Sequence, residues 1–146
     1  MLIKKGAEAV VKAVSFEGNA AVLKERVRKN YRIEDLDKKL RSQRTRSEAR
    51  ITGEAGRAGL KTPFVYRTDE KNFKIYFERV DGVLLKYEFA NAGKKRVAGI
   101  AEKWGVAVAK LHSAGIIHGD LTTSNLIVKD GDVYFLDFGL SFFSKR

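Results

Sequence analysis

Hydrophobic residues follow strand-like and helix-like spacings in turn along the first half of the chain. The segments "AEAVVKAVSF" and "AAVLKERV" alternate apolar and polar positions around Gly18-Asn19, which predicts a hairpin with a short strand before it. From Asp35 to about Ala58 the spacing becomes helical. Gly53 costs a helix about 1 kcal/mol relative to alanine, so we expect a break or bend near it.

The second half repeats this order of strands followed by a helix. The segments "FVYRTD" and "FKIYFERV" predict another hairpin, and a 3–4 residue apolar spacing predicts a helix over about 96–113, capped by Gly115. The short runs "LIV" and "VYFLDF" then flank Asp130-Gly131, a strong hairpin turn. The fold class expected is α+β, with two lobes that meet near Glu78–Gly82.

Composition narrows the class of protein. The 146 residues are 44% hydrophobic, which is typical of a folded chain, and they include no cysteine, which excludes a disulfide scaffold and a thiolate metal site. The sequence has no apolar run of the roughly 20 residues that a membrane span needs, and its start lacks an apolar signal core. These features agree with a cytoplasmic location.

The charge is strongly positive and unevenly distributed. The formal net charge is +11, and residues 24–50 carry eleven basic side chains against five acidic ones, a local charge of +6. Such a field attracts polyphosphates and nucleic acids through contacts with phosphate groups. A well-solvated surface would have the same composition, so charge alone leaves both readings open.

The segment "HGDLTTSNLIVKDGDVYFLDFG" brings several chemically useful side chains close together in sequence. Asp120 and Asn125 are five residues apart, and a predicted hairpin leads from Asn125 to Asp137. Phosphoryl transfer needs a carboxylate that orients the nucleophile and oxygen ligands that hold Mg²⁺ against the phosphates. Asp120 fits the first role, and Asn125 with Asp137 fits the second. A polar loop capped by its own hydrogen bonds is the alternative, but the ordered set matches the protein-kinase signature H-x-D-x-x-x-x-N followed by D-F-G.

The same signature calls for a strand lysine paired with a helical glutamate. Lys24 ends the first predicted hairpin and Glu48 lies on the following helix, so this pair would anchor the α- and β-phosphates, although a chain this charged offers other pairs. The glycine-rich phosphate loop of kinases is reduced here to "GAEA", residues Gly6, Ala7, Glu8 and Ala9. An ordinary turn that connects two strands could have the same sequence.

Taken together, these stretches resemble the small atypical serine/threonine kinase/ATPase of the KEOPS complex, the PRPK-like family. The resemblance runs along the whole chain through "LIKKGAEA", "VLKERVRKNYRIEDLDKKLRSQRTRSEAR", "TPFVY", "HGDLTTSNLIV" and "FLDFGLS". It implies a protein-kinase-like two-lobed fold, with a β-rich N-lobe carrying one main helix at 1–79 and a partial C-lobe at 80–146. It also implies ATP and Mg²⁺ as cofactors, weak autophosphorylation and serine kinase activity alone, and ATPase activity within the complex.

The resemblance further implies partners and residue roles. The complex makes the threonylcarbamoyladenosine modification of tRNA, and the expected partners are tRNA, the threonylcarbamoyl-transferase subunit and a small subunit that docks on the N-lobe. By the same resemblance, Phe77 would be the gatekeeper, and the backbones of Glu78 and Val80 would contact adenine. Asp120 and Lys24 would be the catalytic residues, Glu48 and the 6–9 turn would help to bind the nucleotide, and Asn125 and Asp137 would be the metal ligands.

The chain stops soon after the D-F-G segment, whereas members of that family continue into further helices. We therefore expect a truncated chain that leaves Val97, Trp104 or Leu111 exposed on the 96–113 helix unless a second chain or alternative packing covers them. This departure keeps a second function open, a catalytically weak module that binds tRNA or a partner and is stabilised by nucleotide. A small-molecule kinase is a third alternative.

Overall fold

The computed structural model describes residues 2–6 and 8–144 and forms two compact units. The first unit consists of the chain up to Arg50 together with Phe64–Arg79, and the second consists of Ile51–Pro63 together with the chain from Val80 onward. Strands and helices are both present, which confirms the α+β class. No helix within residues 2–6 and 8–144 is long and apolar enough to cross a membrane.

The first unit is an antiparallel sheet with the order β1-β2-β3-β5-β4, accompanied by most of helix α1. Its elements are β1 (Leu2–Lys5), β2 (Ala9–Phe16), β3 (Asn19–Arg26), α1 (Glu34–Arg57), β4 (Val65–Asp69) and β5 (Lys74–Glu78). Both predicted hairpins are present. The β2–β3 turn lies at Glu17-Gly18, one residue before the position expected, because Asn19 already pairs with Phe16. Both turn residues have positive φ, 49° and 83°, as a type I′ turn requires.

Helix α1 runs without interruption through Gly53, so a break there is ruled out, while the alternative of a bend stays a prediction. Ile51 and Ala55 on either side of this glycine are buried in the core of the second unit. Their packing outweighs the cost of about 1 kcal/mol that glycine imposes on a helix.

Within residues 51–63 and 80–144, the second unit contains the end of α1, two further helices and five short strands. In chain order these are β6 (Val83–Leu84), α2 (Leu85–Asn91), α3 (Lys94–Ser113), β7 (Ile116–Ile117), β8 (Leu126–Lys129), β9 (Asp132–Phe135) and β10 (Phe142–Phe143). They form a three-stranded sheet, β6-β8-β9, and a two-stranded sheet, β10-β7. The Asp130-Gly131 turn and the Gly115 cap are confirmed, with all three residues at positive φ.

Helix α3 packs on the core of the second unit through one face. Leu111 is fully buried and Val97 and Trp104 are half-buried, so these side chains are not left exposed, and the alternative of other packing within the chain applies. The core gathers apolar residues from the end of α1, from α2, α3 and the short strands, and this packing covers Leu111. The large apolar side chain that α3 leaves exposed is Val106, at 52%.

Candidate active site

In the first unit, a buried glutamate receives two cations. Lys24 Nζ lies 2.8 Å from Glu48 Oε2, and Arg26 Nη2 lies 2.9 Å from Glu48 Oε1. Side chains alternate across a strand, so residues two apart on β3 leave the same face and reach the same carboxylate on α1. Lys24 therefore contacts Glu48, the glutamate with which the sequence analysis paired it.

Arg26 is the member of this cluster that sequence reasoning missed. Arg26 is buried, with 6% of its surface exposed. Within the part of the chain that the structure describes, its Nε has no hydrogen-bond partner. The available signal was its i+2 spacing from Lys24 on a strand. A charge this deeply buried costs free energy unless it is paired, which explains why Glu48 binds it directly.

The turn that stands in place of a glycine-rich loop is held by backbone hydrogen bonds. Gly6 N–H donates to the Ala9 carbonyl oxygen at 2.9 Å, and Val27 N–H donates to the Glu8 carbonyl oxygen at 3.2 Å. Ala7 lies outside the described residues. Gly6 is not in the left-handed region, and a Cβ there would meet only the Ala9 oxygen at an ordinary 3.6 Å. Neither its backbone angles nor its neighbours within the protein therefore require glycine at this position.

Strand β5 carries the residues expected to contact adenine from the first unit. Phe77 is half-buried and pairs with Val22 and Val65. Glu78 N–H donates to the Phe64 carbonyl oxygen at 2.7 Å, so this donor is already engaged. The Glu78 carbonyl oxygen is then the backbone group of that residue suited to accept a hydrogen bond from a ligand. Val80 begins the next stretch of the second unit and is half-buried.

In the second unit, the polar loop after β7 is closed around Asp120 and Asn125. Asn125 Nδ2 donates to both the carboxylate oxygen Oδ2 and the carbonyl oxygen of Asp120, each at 3.0 Å. Asn125 N–H also donates to the Thr122 carbonyl oxygen at 3.0 Å. Because the amide nitrogen of Asn125 is turned toward Asp120, its Oδ1 is directed elsewhere and can serve as a metal ligand.

His118 supports this loop from beneath. It is fully buried, and its Nδ1 accepts the backbone N–H of Asp120 at 3.1 Å. An accepting Nδ1 carries no proton, so Nε2 carries it and donates to the Leu136 carbonyl oxygen at 2.8 Å. The Phe138 ring packs against the imidazole with centroids 4.8 Å apart. Sequence reasoning used His118 only as part of a motif, and the structure gives it the task of orienting Asp120.

Asp137 lies two residues after the end of β9, and Asn125 lies one residue before the start of β8. Leu136 N–H donates to the Asn125 carbonyl oxygen at 2.9 Å, so the residue after Leu136 lies beside Asn125. Asp137 has φ of 55°, and its Oδ1 accepts the N–H of Gly139 at 3.2 Å. An amide oxygen and a carboxylate are hard donors of the kind that Mg²⁺ prefers, and Mg²⁺ usually completes its shell with waters and substrate phosphates. The residues present therefore fit a magnesium–nucleotide site, although residues 2–6 and 8–144 contain no group of three or more acidic, histidine or cysteine side chains that could hold a metal alone.

The basic segment 24–50 offers less free charge than its composition indicates. Besides Lys24 and Arg26 on Glu48, Arg32 and Arg41 both contact the buried carboxylate of Asp37, at 3.4 Å and 2.6 Å. A hydrogen bond from the Lys29 backbone N–H, helped by Arg41, holds the pKa of Asp37 below its ordinary value. The Arg41 guanidinium also stacks on the Phe73 ring at 3.9 Å. Arg41 is therefore a structural residue, while Arg44 and Arg46 are solvent-accessible and make long ion pairs at 3.4 Å and 3.7 Å.

Comparison with known structures identifies the class of fold. The chain resembles a structure described as the Rio2 kinase–ADP/Mg²⁺–phosphoaspartate complex from Chaetomium thermophilum, with a TM-score of 0.78 over 98% of this chain and 48% of that one. Sequence identity is 17%, so this likeness establishes a protein-kinase-like fold and no more.

Sequence comparison then gives the family. A family model for the RIO domain matches residues 10–143, and the chain belongs to this family. It is 42% identical to the KEOPS complex subunit Bud32 of Pyrococcus abyssi, over 97% of this chain and 67% of that protein. It is also 44% identical to a probable bifunctional tRNA threonylcarbamoyladenosine biosynthesis protein of Methanosarcina mazei, over 99% of this chain. The chain spans about a quarter of the length of that bifunctional relative.

Proposed function

We propose that this chain is a Mg²⁺- and ATP-dependent phosphotransferase or ATPase of the RIO family. The observation that carries the proposal is the loop of the second unit, where Asn125 and His118 both fix Asp120 through hydrogen bonds of 3.0 and 3.1 Å. Asn125 holds the Asp120 carboxylate and His118 holds its backbone N–H, so the side chain is preorganised to orient an attacking hydroxyl or water, which is the main task in phosphoryl transfer.

The second unit supplies the chemistry in this proposal. Asp120 orients the nucleophile and accepts its proton, while Asn125 Oδ1 and the Asp137 carboxylate hold Mg²⁺. When bound, Mg²⁺ neutralises charge that develops on the phosphates. Val80 offers its backbone to adenine.

The first unit supplies nucleotide contacts. Lys24 holds the α- and β-phosphates, and Glu48 keeps its ammonium in place. The Gly6, Ala7, Glu8 and Ala9 turn covers the phosphates, the Glu78 carbonyl oxygen accepts from adenine, and Phe77 is the gatekeeper. Support comes from the 2.8 Å Lys24–Glu48 pair and from the engaged N–H of Glu78. We propose that residues 1–79 form the N-lobe and that residues 80–146 belong to the C-lobe.

We propose, from the names of the relatives, that the activity serves threonylcarbamoyladenosine modification of tRNA within a KEOPS complex. The partners would be tRNA, the threonylcarbamoyl-transferase subunit and a small subunit docking on the N-lobe, and the location would be the cytoplasm. Serine or threonine is the proposed acceptor when the chain acts on protein, and water when it acts as an ATPase.

One observation favours a second function, a weak binding module that uses nucleotide as a structural ligand. The single glycine of the 6–9 turn is not required by its own conformation or its neighbours, unlike a loop built to bring bare backbone to phosphates.

The experiment that separates the two functions measures phosphate release from Mg-ATP alongside Mg-ATP affinity. Asp120→Asn removes the carboxylate but keeps an acceptor for Asn125, so the loop should stay closed. We expect turnover to fall by about 10² to 10⁴-fold with affinity changed little. Asp35→Asn, an exposed carboxylate in the first turn of α1, is the control and should leave turnover unchanged. Wild-type turnover no higher than that of Asp120→Asn would favour the binding module.

A further inference from the structure

The segment that follows Asp137-Phe138-Gly139, which we call the clamp segment (Leu140–Ser144), lies along the strand that enters the catalytic loop. Phe142 and Phe143 of β10 pair with Ile117 and Ile116 of β7. Ser144 N–H continues the pairing by donating to the Gly115 carbonyl oxygen at 2.7 Å. The chain after the metal ligand is therefore tied to the chain before the catalytic aspartate.

Apolar burial is not what holds the clamp segment in place. Leu140, Phe142 and Phe143 are 64%, 53% and 40% exposed. A two-residue strand pair with exposed side chains is weak by itself. Specific polar contacts and close fit must then account for its position.

Ser141 provides one such contact. Its hydroxyl donates to the His118 carbonyl oxygen at 2.7 Å, and its backbone N–H donates to the Phe138 carbonyl oxygen at 3.1 Å. The half-buried Ser141 side chain thus bridges the clamp segment to the residue whose imidazole orients Asp120.

Gly119 provides the close fit. Its φ is 87°, in the left-handed region, and a Cβ at this position would lie 2.4 Å from the Leu140 carbonyl oxygen. Any side chain here would push the clamp segment off the loop. A glycine between His118 and Asp120 is therefore required by both its conformation and its neighbour.

We infer that Ser141 and Gly119 are positioning residues that set the geometry of Asp120 through His118. The contacts run in sequence from the Ser141 hydroxyl to the His118 backbone, from its Nδ1 to the Asp120 N–H, and from the Asp120 carboxylate to Asn125. The catalytic meaning of this arrangement rests on the proposed function, whereas the positioning itself does not.

Amide hydrogen exchange of the ¹⁵N-labelled chain tests the positioning role and does not depend on enzymatic activity. Ser141→Ala should speed exchange at the Asp120 amide by about tenfold, since one hydrogen bond that restrains local opening is lost. Ser141→Thr keeps the hydroxyl and should restore slow exchange. Ser144→Ala is the matched control, because that residue contributes a backbone N–H to the pairing. Unchanged exchange in Ser141→Ala, or an equal increase in Ser144→Ala, overturns the inference.

Kinetics give a second readout of the same inference. Ser141→Ala should lower kcat for ATP turnover by about tenfold with KM for ATP nearly unchanged, and Ser141→Thr should recover it. Gly119→Ala should be more severe, and if that variant does not fold, the Ser141 series still decides. A wild-type chain without turnover would count against the proposed function, while the exchange result would still confirm or overturn the positioning role.

Discussion

Replacing Glu48 with glutamine tests how much the buried ion pairs of Glu48 with Lys24 and Arg26 stabilise the protein. The variant keeps the size of the side chain but removes the negative charge that Lys24 and Arg26 share. Their side chains are 13% and 6% exposed, so Arg26 in particular would stay away from water without this carboxylate.

The expected loss of stability is large. Removing one partner of a buried ion pair costs about 3–5 kcal/mol, because the remaining charge is uncompensated. Partial exposure of Lys24 lets water relieve some of this cost, which favours about 3 kcal/mol. With an unfolding entropy of about 2.1 cal/mol/K per residue, a chain of this length would lose about 10 °C in Tm.

Thermal unfolding followed by far-UV circular dichroism measures this loss. Glu34→Gln is the matched control, because this glutamate lies on the same helix in an ion pair with Lys38 whose side chains are 59% and 58% exposed. Such exposed pairs contribute about 0–1 kcal/mol, so its Tm should change by no more than about 3 °C. Adding Arg26→Met to Glu48→Gln removes the more buried unpaired charge and should recover part of the loss. A Glu48→Gln Tm within about 2 °C of wild type would refute the reasoning.

Three further predictions concern other parts of the two units. The pKa of Asp37 is held below its ordinary value, so the stability that its carboxylate contributes is present above about pH 4 and is lost as pH falls through the lowered pKa. Asp37→Asn should therefore flatten the acid side of a plot of unfolding free energy against pH. An unchanged acid side would contradict this. Leu111→Ala should lower the free energy of unfolding in urea by about 2–5 kcal/mol, whereas Val106→Ala, at an exposed site, should change it by less than about 0.5 kcal/mol; equal losses would contradict the packing described. Gly82→Ala places a Cβ 2.4 Å from the Val128 carbonyl oxygen and should destabilise by about 1–3 kcal/mol, while Gly99→Ala, with open space in α3, should stabilise by up to about 1 kcal/mol, as measured by the same urea titration.

Local patterns predicted the elements whose signals lie within a few residues of each other. The hairpin at Asp130-Gly131 and helix α3 follow from turn chemistry and apolar spacing. Helix α2 was missed because it has only seven residues and no side-chain cap, although Leu85 and Phe89 are four apart. Strands β7 and β10 have two residues each and exist only because distant parts of the chain pair.

The residues of the candidate site also fall into two groups, those that the sequence analysis identified and those that the structure revealed. The motif residues Asp120, Asn125 and Asp137 could be selected from their order and spacing, although their roles stay predictions. Arg26 was missed although its i+2 spacing from Lys24 was a usable signal. Ser141 belongs to no motif and is defined only by its contact with His118, 23 residues away. Sequence composition also overstated the free basic surface, since the structure places Arg41 against a buried carboxylate.

The central claim is that this chain turns over Mg-ATP and that the turnover depends on the Asp120 carboxylate. The direct measurement is the ratio of Mg²⁺-dependent phosphate release by wild type to that by Asp120→Asn, with phosphate transferred to protein counted separately. A ratio of about 10² or more is the predicted result. A ratio near one, with Mg-ATP still bound by both proteins, would contradict the account.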